Sequence, residues 1–275
     1  MSKKNTSISI TKKNTERDDI LFIFYKYFRT SDYIVTYIPE ERKEGKESKK
    51  YILISSVFSP SNSCIELAFN KKEMIIYEIH RCLFTKTESI SNSSKGIGNS
   101  ILKNLIKIAK TFNLKNIRLW DTSTIQNPYK SGFNISLFIY KILIEGESWY
   151  NKNGFKNENH DIEKKEWDIM RNETFIIIFL KFKDITIKKQ ILEKKTDVIK
   201  VLNKYSNLQN NMFIFLEKYS IKYTLKVEDV FKKLEKIRLT LEGKKIINDF
   251  YFNLEGLIDL FEDNIKYSPD LILII

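Results

Sequence analysis

The chain has 275 residues, 42% of them hydrophobic and 30% charged, with a formal net charge of +12. That balance excludes wholesale disorder, and the length buries a real core as one large domain or two small ones. No apolar run approaches the roughly 20 residues that cross a bilayer.

Ile176–Leu180 and Leu271–Ile275 are the longest apolar candidates, and both are strand-sized. The opening MSKKNTSISITKKN lacks the apolar stretch of a secretory leader, so an intracellular, cytoplasmic protein is expected. The basic excess invites a nucleic-acid reading, but acids and bases are interspersed. Residues 181–275 carry 18 Lys and Arg against 14 Asp and Glu, which reads as a solvated surface rather than a phosphate footprint. The joint richness in Lys, Ile and Asn is the bias expected of an A/T-rich genome. Cys64 and Cys82 do not make a disulfide framework and read as buried reduced thiols. His80 and His160 stand far apart, without metal-ligand spacing, so no metal is expected.

In chain order, residues 1–14 read as a frayed start or a short strand at Ser7–Thr11. Thr15 then caps a helix whose apolar stripe is Ile20, Leu21, Phe24, Tyr25 and Phe28. After a charged loop at 40–50, Tyr51–Phe58 reads as a strand. Cys64–Phe69 and Met74–Phe84 form a hairpin around Asn70-Lys71-Lys72-Glu73. Ile97–Phe112 has helical spacing, with Ile101, Leu102, Leu105, Ile108 and Ala109 on one face and Lys103, Lys107 and Lys110 opposite. Asn113 is its left-handed stop, and Ile117–Trp120 is a short strand. The order strand, glycine turn, helix, strand is a β-α-β unit and implies parallel pairing.

Further on, Ile135–Tyr150 reads as helical with a break near Gly146, and Glu166–Met170 and Phe175–Phe182 as strands. From Ile185 the period becomes helical: one helix runs through Ile187–Tyr205, one through Val230–Leu241 and one through Ile246–Phe261. Trp120, Trp149 and Trp167 read as core residues.

The stretch that carries chemistry is Ser93-Ser94-Lys95-Gly96-Ile97-Gly98-Asn99-Ser100. Two glycines one residue apart let the backbone turn tightly and come close to a bulky anion. The first free N–H groups of the following helix, with its dipole, make a phosphate site. A second block follows at Trp149-Tyr150-Asn151-Lys152-Asn153-Gly154-Phe155.

Together the two blocks resemble the signature of the GNAT acetyltransferases. Gly96 and Gly98 match the glycine positions of that family's Gln/Arg-x-x-Gly-x-Gly/Ala turn, and Tyr150, Gly154 and Phe155 match its Tyr-x-x-x-Gly-Phe block. The resemblance covers about residues 15–180. It implies an α/β (α+β) fold: a mixed, mostly antiparallel central sheet with a parallel splayed pair and flanking helices, here followed by a C-terminal helical extension. The expected domains are 1–182, GNAT-like, and 183–275, helical. The sequence departs from the pattern at Ser93, where Gln or Arg is usual; Lys95 supplies a charge nearby. Insertions stand at Thr85–Asn92 and Thr122–Asn134, and Ser123 or Asn127 is the stand-in for a usual Asn.

The resemblance implies acetyl-CoA as co-substrate, no metal, and transfer to an amine in a ternary complex. Lys95, Gly96, Ile97, Gly98, Asn99 and Ser100 would cradle the diphosphate, and a backbone N–H near Arg81, Cys82 or Leu83 would polarise the thioester carbonyl. Tyr150 would give its proton to the departing thiolate. A lysine-like amine, with a pKa of about 10.4, must first lose its own proton. Simple alternation places Met74, Ile76, Glu78, His80 and Cys82 on one strand face, which makes Glu78 and His80 the base candidates; Asp121 is a third. The acceptor is an amine on a small molecule or a protein, and neither a membrane nor a nucleic acid is an expected partner. The helical tail has three roles open to it: covering a sheet edge, homodimerisation, or shaping an acceptor pocket. The rival reading is an inactive GNAT-like module for CoA binding or protein interaction.

Overall fold

The computed structural model describes residues 5–38, 43–44, 47–79, 97–130, 134–182, 207–265 and 267–275. The chain divides into two compact units, residues 1–120 with 270–275, and residues 121–269. The expected division near residue 182 does not coincide with either limit: the chain leaves the first unit after Trp120 and returns to it at Asp270.

In the first unit, helix α1 spans Asn5–Tyr27. It begins ten residues before the expected cap at Thr15, and no strand forms at Ser7–Thr11. No Gly or Pro stands in residues 1–28 to stop the helix propagating upstream. The strands are β1 (Tyr33–Ile38), the short β2 (Lys43–Glu44) and β3 (Glu47–Ser48), β4 (Lys50–Ser56), β5 (Ser59–Phe69) and β6 (Glu73–Ile79). Helix α2 (Ile97–Thr111) and β7 (Asn116–Trp120) follow, and β10 (Asp270–Ile274) closes the unit. The six-stranded sheet has the order β1-β4-β5-β6-β7-β10. Every pairing in it is antiparallel except β6 with β7, the two strands on either side of α2.

One face of this sheet is apolar through Ile52, Ile54, Ile65, Leu67, Met74, Ile76, Ile117 and Leu119, all buried. Ile20 and Phe24 of α1, Phe28 just after it, and Ile101, Leu102, Leu105 and Ile108 of α2 are buried with them, as their spacing requires. Phe69 links the helices' aromatics, 6.2 Å from Phe24 and 5.0 Å from Phe112. Asn113, at φ 54°, ends α2, and Leu114 N–H returns to Ala109 O at 3.0 Å. Trp120 is 58% exposed, not core: burial alternates along β7, and Trp120 shares the face of Arg118, opposite Ile117 and Leu119. Cys64 is buried but disulfide-bonded, which corrects the reduced thiol inferred from cysteine count.

The second unit holds a two-stranded sheet, β8 (Thr124–Gln126) with β9 (Asn134–Ser136). Its described helices are α3 (Leu137–Glu145), α4 (Trp149–Lys152), α5 (His160–Asn172), α6 (Phe175–Phe182), α7 (Asn207–Lys218), α8 (Val227–Thr240) and α9 (Lys244–Glu262). The helix expected over Ile187–Tyr205 lies outside the described residues, while α8 and α9 match the other two.

The strands expected at 166–170 and 175–182 are helical. Burial at Glu163, Trp167, Met170 and Arg171 repeats every three to four residues. The run Phe175–Phe182 is apolar nearly all round, and a short run of that kind has no period to separate strand from helix. The helices share an aromatic core: Phe231 meets Phe261 edge-on at 5.3 Å, Phe138 meets Trp167 at 6.0 Å, and Phe215 meets Phe250 at 5.5 Å.

Two polar ties run through that core. Arg171 donates to Leu143 O (3.2 Å), Ile144 O (3.1 Å), Glu228 (2.7 Å) and Asp168 (3.2 Å), satisfying the last carbonyls of α3. Tyr140 donates to Glu235 at 2.9 Å, and Glu235 accepts a forked pair from Arg238 at 2.7 and 2.9 Å.

Candidate functional site

The two motif blocks fall in different units. In the first, α2 begins at Ile97, directly after Gly96, so Ile97, Gly98, Asn99 and Ser100 form its first turn. That turn contains no acidic residue, and α2 is 15 residues long. The free N–H groups and dipole of such an end favour an anion, and Gly98 has no side chain to obstruct one. Asn99 and Ser100 are exposed. Lys95 and Gly96 lie outside the described residues.

Strand β6 departs from simple alternation. Glu78 faces Glu66 of β5, but Ile76 faces Leu67, so Tyr77 is an extra residue in β6. Its ring stacks on Tyr51 at 6.2 Å. The bulge rotates everything beyond it by one position: Ile79 joins the face of Met74 and Ile76, and Glu78 turns to the opposite face, where it is exposed. The single face expected for Met74, Ile76 and Glu78 is therefore corrected at Glu78. Pairing of β6 with β7 runs from Glu73–Asn116 to Ile76–Leu119, so the recorded parallel register stops one residue before the bulge. His80, Arg81, Cys82 and Leu83 lie outside the described residues.

In the second unit, the Tyr150 block folds into a closed turn. Ser148 caps α4: its Oγ accepts from Asn151 N–H at 3.1 Å, and its own N–H donates to Asn151 Oδ1 at 3.2 Å. Asn151 Nδ2 then donates to Phe155 O at 2.9 Å, and Phe155 N–H donates to Tyr150 O at 3.2 Å. Gly154, at φ 90°, provides the left-handed step that brings the chain back. The Tyr150 and Phe155 rings meet edge-on at 6.0 Å, and the Trp149 ring, half-buried, lies 4.6 Å from that of Tyr150. Tyr150 is 8% exposed. Its hydroxyl forms no hydrogen bond among the described residues and is not among the fully occluded polar atoms.

Asp121 is buried in the same unit, 5% exposed. It accepts from Ser123 N–H at 3.3 Å and from the Ser123 hydroxyl at 2.5 Å. Burial pushes its pKa up, while hydrogen bonds from Ser123 and Ser148 pull the other way and lose. Burial, then the charge of Asp121, raises Tyr150 above the ordinary phenol range. Burial, the hydrogen bond to Glu262 and the charges of Glu262 and Asp121 push Tyr267 up to about 12. Of the two stand-ins for the family's Asn, Ser123 binds Asp121. Asn127 is committed elsewhere, accepting from Tyr129 N–H and donating to Asn248, both at 2.9 Å. His160 is buried, and burial, then the Lys156 charge, lowers its pKa. No metal-binding group of His, Cys, Asp and Glu exists among the described residues.

Ser148, Asn151 and Tyr267 were not singled out in the sequence. Ser148-x-x-Asn151 carries a legible signal: it is the Ser-x-x-Glu/Gln capping box with a shorter amide. Tyr267 carries none, because its link to Asp121 is tertiary.

No protein-family model, curated protein or solved structure matches this chain.

Proposed function

We propose that the chain is an acetyl-CoA-dependent N-acetyltransferase of the GNAT kind. The observation that carries the reading is the β6-α2-β7 unit. It joins the sheet's one parallel pair, and its helix opens on Gly98 with no acid in the first turn. The bulge at Tyr77 and the short run of β6–β7 pairing support the splayed strand pair that the resemblance implies. The closed turn around Tyr150 and Phe155, which leaves the phenol hydroxyl without a hydrogen bond among the described residues, supports the second block.

In this reading the α2 amides at 97–100, with Lys95 and Gly96, hold the diphosphate of acetyl-CoA. A backbone N–H near Arg81, Cys82 or Leu83 polarises the thioester carbonyl. The acceptor gives its proton to a base, Glu78 or His80, directly or through water. The amine nitrogen attacks the carbonyl carbon, the C–N bond forms, and the C–S bond breaks. The thiolate leaves with the electron pair and takes a proton from water or a nearby acid. Chemically, any unhindered primary amine on a small molecule or a protein qualifies as acceptor. The helical tail, residues 183–275, remains a proposed homodimer surface.

A second reading, a CoA-binding or protein-interaction module without turnover, is favoured by Ser93, which stands where the family pattern has Gln or Arg. Acetyl-CoA consumption screened against polyamines, amino sugars, aminoglycosides and peptide N-termini separates the two. Turnover with any of these supports the enzyme. Binding of acetyl-CoA without turnover across the whole panel supports the module.

A further inference from the structure

We propose that β10 is the docking edge for a second copy of this chain, the two β10 strands pairing antiparallel about a two-fold axis at Ile272 so that the sheets of the two copies become one. The inference stands apart from the acetyltransferase reading, and it places the homodimer surface on the last strand rather than on the helices.

The two edges of the six-stranded sheet differ. At β1, Val57 N–H donates to Asp32 O at 3.1 Å, so the even positions face β4 and the backbone groups of Tyr33, Val35 and Tyr37 turn outward. Tyr33 N–H donates to Arg29 O at 2.9 Å. Val35 N–H donates to the Tyr25 hydroxyl, and that hydroxyl donates to Val35 O, both at 3.2 Å. A phenol from α1 thus closes the middle of this edge against another strand.

The β10 edge is open. Asp121 N–H donates to Pro269 O and Ile275 N–H to Lys115 O, both at 2.9 Å, so the odd positions face β7 and Asp270, Ile272 and Ile274 turn outward. The N–H and C=O of Ile272 and Ile274 have no hydrogen-bond partner among the described residues. Ile274 is 84% exposed, and Ile272 and Leu273 are half-exposed. Leu271–Ile275 contains no charged side chain and no Pro, the features that commonly blunt an edge.

Self-complementarity names the occupant. With Ile272 opposite Ile272 of the second copy, each donates its outward N–H to the other's C=O, and Ile274 does the same with Asp270. On the face of Ile117 and Leu119, Leu273 meets Leu271 of the second copy; on the other face the two Ile272 side chains meet. Asp270, the only charged residue of β10, is already paired with Arg118 at 3.0 Å. The exposed side chains of Ile274 and Trp120 lie on that second face, beside the seam that would shelter them from water. Because Tyr25 closes Val35, the open edge is used once per copy, and the assembly stops at a pair instead of growing. One short strand per copy is a small seam, so the pair should dissociate on dilution.

Sedimentation equilibrium of the full chain, without CoA, tests this from about 1 to about 200 μM, the range in which a small interface dissociates. A dimer should build up across that range. Ile272→Lys and Ile272→Glu each set like charges opposite one another at the two-fold, and each should raise the dissociation constant at least about tenfold. An equimolar mixture of the two sets Lys against Glu and should recover most of the native affinity. A native chain that stays monomeric throughout overturns the proposal, as does a dimer that both variants leave unchanged or a mixture no tighter than the variants alone. If either variant does not fold, amide exchange of the native chain decides: the Ile272 N–H should gain protection as concentration rises, and exchange independent of concentration overturns the proposal. Absence of acetyl-CoA binding would remove the catalytic reading and leave these results standing.

Discussion

Ser148 and Asn151 hydrogen-bond each other twice, N–H to Oγ at 3.1 Å and N–H to Oδ1 at 3.2 Å, with both residues buried. This reciprocal pair fixes where Tyr150, between them in sequence, begins and ends its short helix. Removing the cap costs about 1–2 kcal/mol in general. Ser148→Ala should lower unfolding stability by about that much in urea titration, because the Asn151 N–H is then orphaned in the interior. A change below about 0.3 kcal/mol would show that the web around Tyr150 is not tight.

Gly146 ends α3 at φ 82°, and a Cβ there would meet Arg171 Nη1 at 2.5 Å. Arg171 cannot simply swing away, since four hydrogen bonds hold it. Gly146→Ala should therefore cost about 2 kcal/mol or more: left-handed strain of about 1–2 kcal/mol plus displacement of the guanidinium. Chemical denaturation of the single variant measures it.

Two carboxylates of the second unit, Asp121 buried and Glu235 half-buried, predict opposite pH behaviour. Burial alone would raise Glu235, but the hydrogen bonds and charge of Arg238, with the Tyr140 hydroxyl, hold it below the ordinary value. Its contribution to stability is present above the ordinary glutamate pKa of about 4.3 and is lost as pH falls through the depressed folded value. Glu235→Gln should thus flatten the acid limb of a stability–pH curve. Asp121 has the reverse sign, its folded pKa being raised by burial. Its contribution is present below the ordinary aspartate value of about 3.9 and is lost as pH rises through the folded one. Asp121→Asn, which keeps an acceptor for Ser123, should hold or gain stability at pH 7. A clear loss of stability at pH 7 would contradict this sign.

β10 pairs with β7 from Asp270–Trp120 to Ile274–Asn116, and Leu271 is wholly buried. Truncation after residue 269 should expose the β7 edge and the Leu271 site. Large-to-small losses at such a site run at about 2–5 kcal/mol. Melting of the truncated chain should fall accordingly and aggregation should rise.

The parts of this fold that were legible in the sequence are those with a clean local period. The stripe of Ile101, Leu102, Leu105 and Ile108 located α2, the β-prone run Cys64–Phe69 before the polar turn at 70–73 located the second half of β5, and the apolar stripe through Phe250 and Phe261 located α9. Tyr33–Ile38, now β1, was not read, because its edge position leaves it half-exposed and without alternation. The helices α5 and α6 were misread because Trp167 and Phe175 are buried by partners distant in sequence. The return of Asp270–Ile274 to β7 is non-local, and a strand-sized apolar run says nothing about its partner. At the candidate site, the start of α2 beside Gly98 was legible from glycine spacing. The face of Glu78 was not, since a single bulged residue at Tyr77 reverses parity without any glycine to announce it.

The central claim is a diphosphate site at the start of α2, and calorimetric titration of the full chain with acetyl-CoA tests it most directly. The account predicts saturable one-site binding that weakens with salt. It also predicts that Gly98→Glu abolishes binding while leaving the protein folded, because an acid in the first turn suits the helix dipole and repels the ligand. Absence of heat and of any rise in melting temperature at millimolar acetyl-CoA, or equal binding by Gly98→Glu, would contradict it.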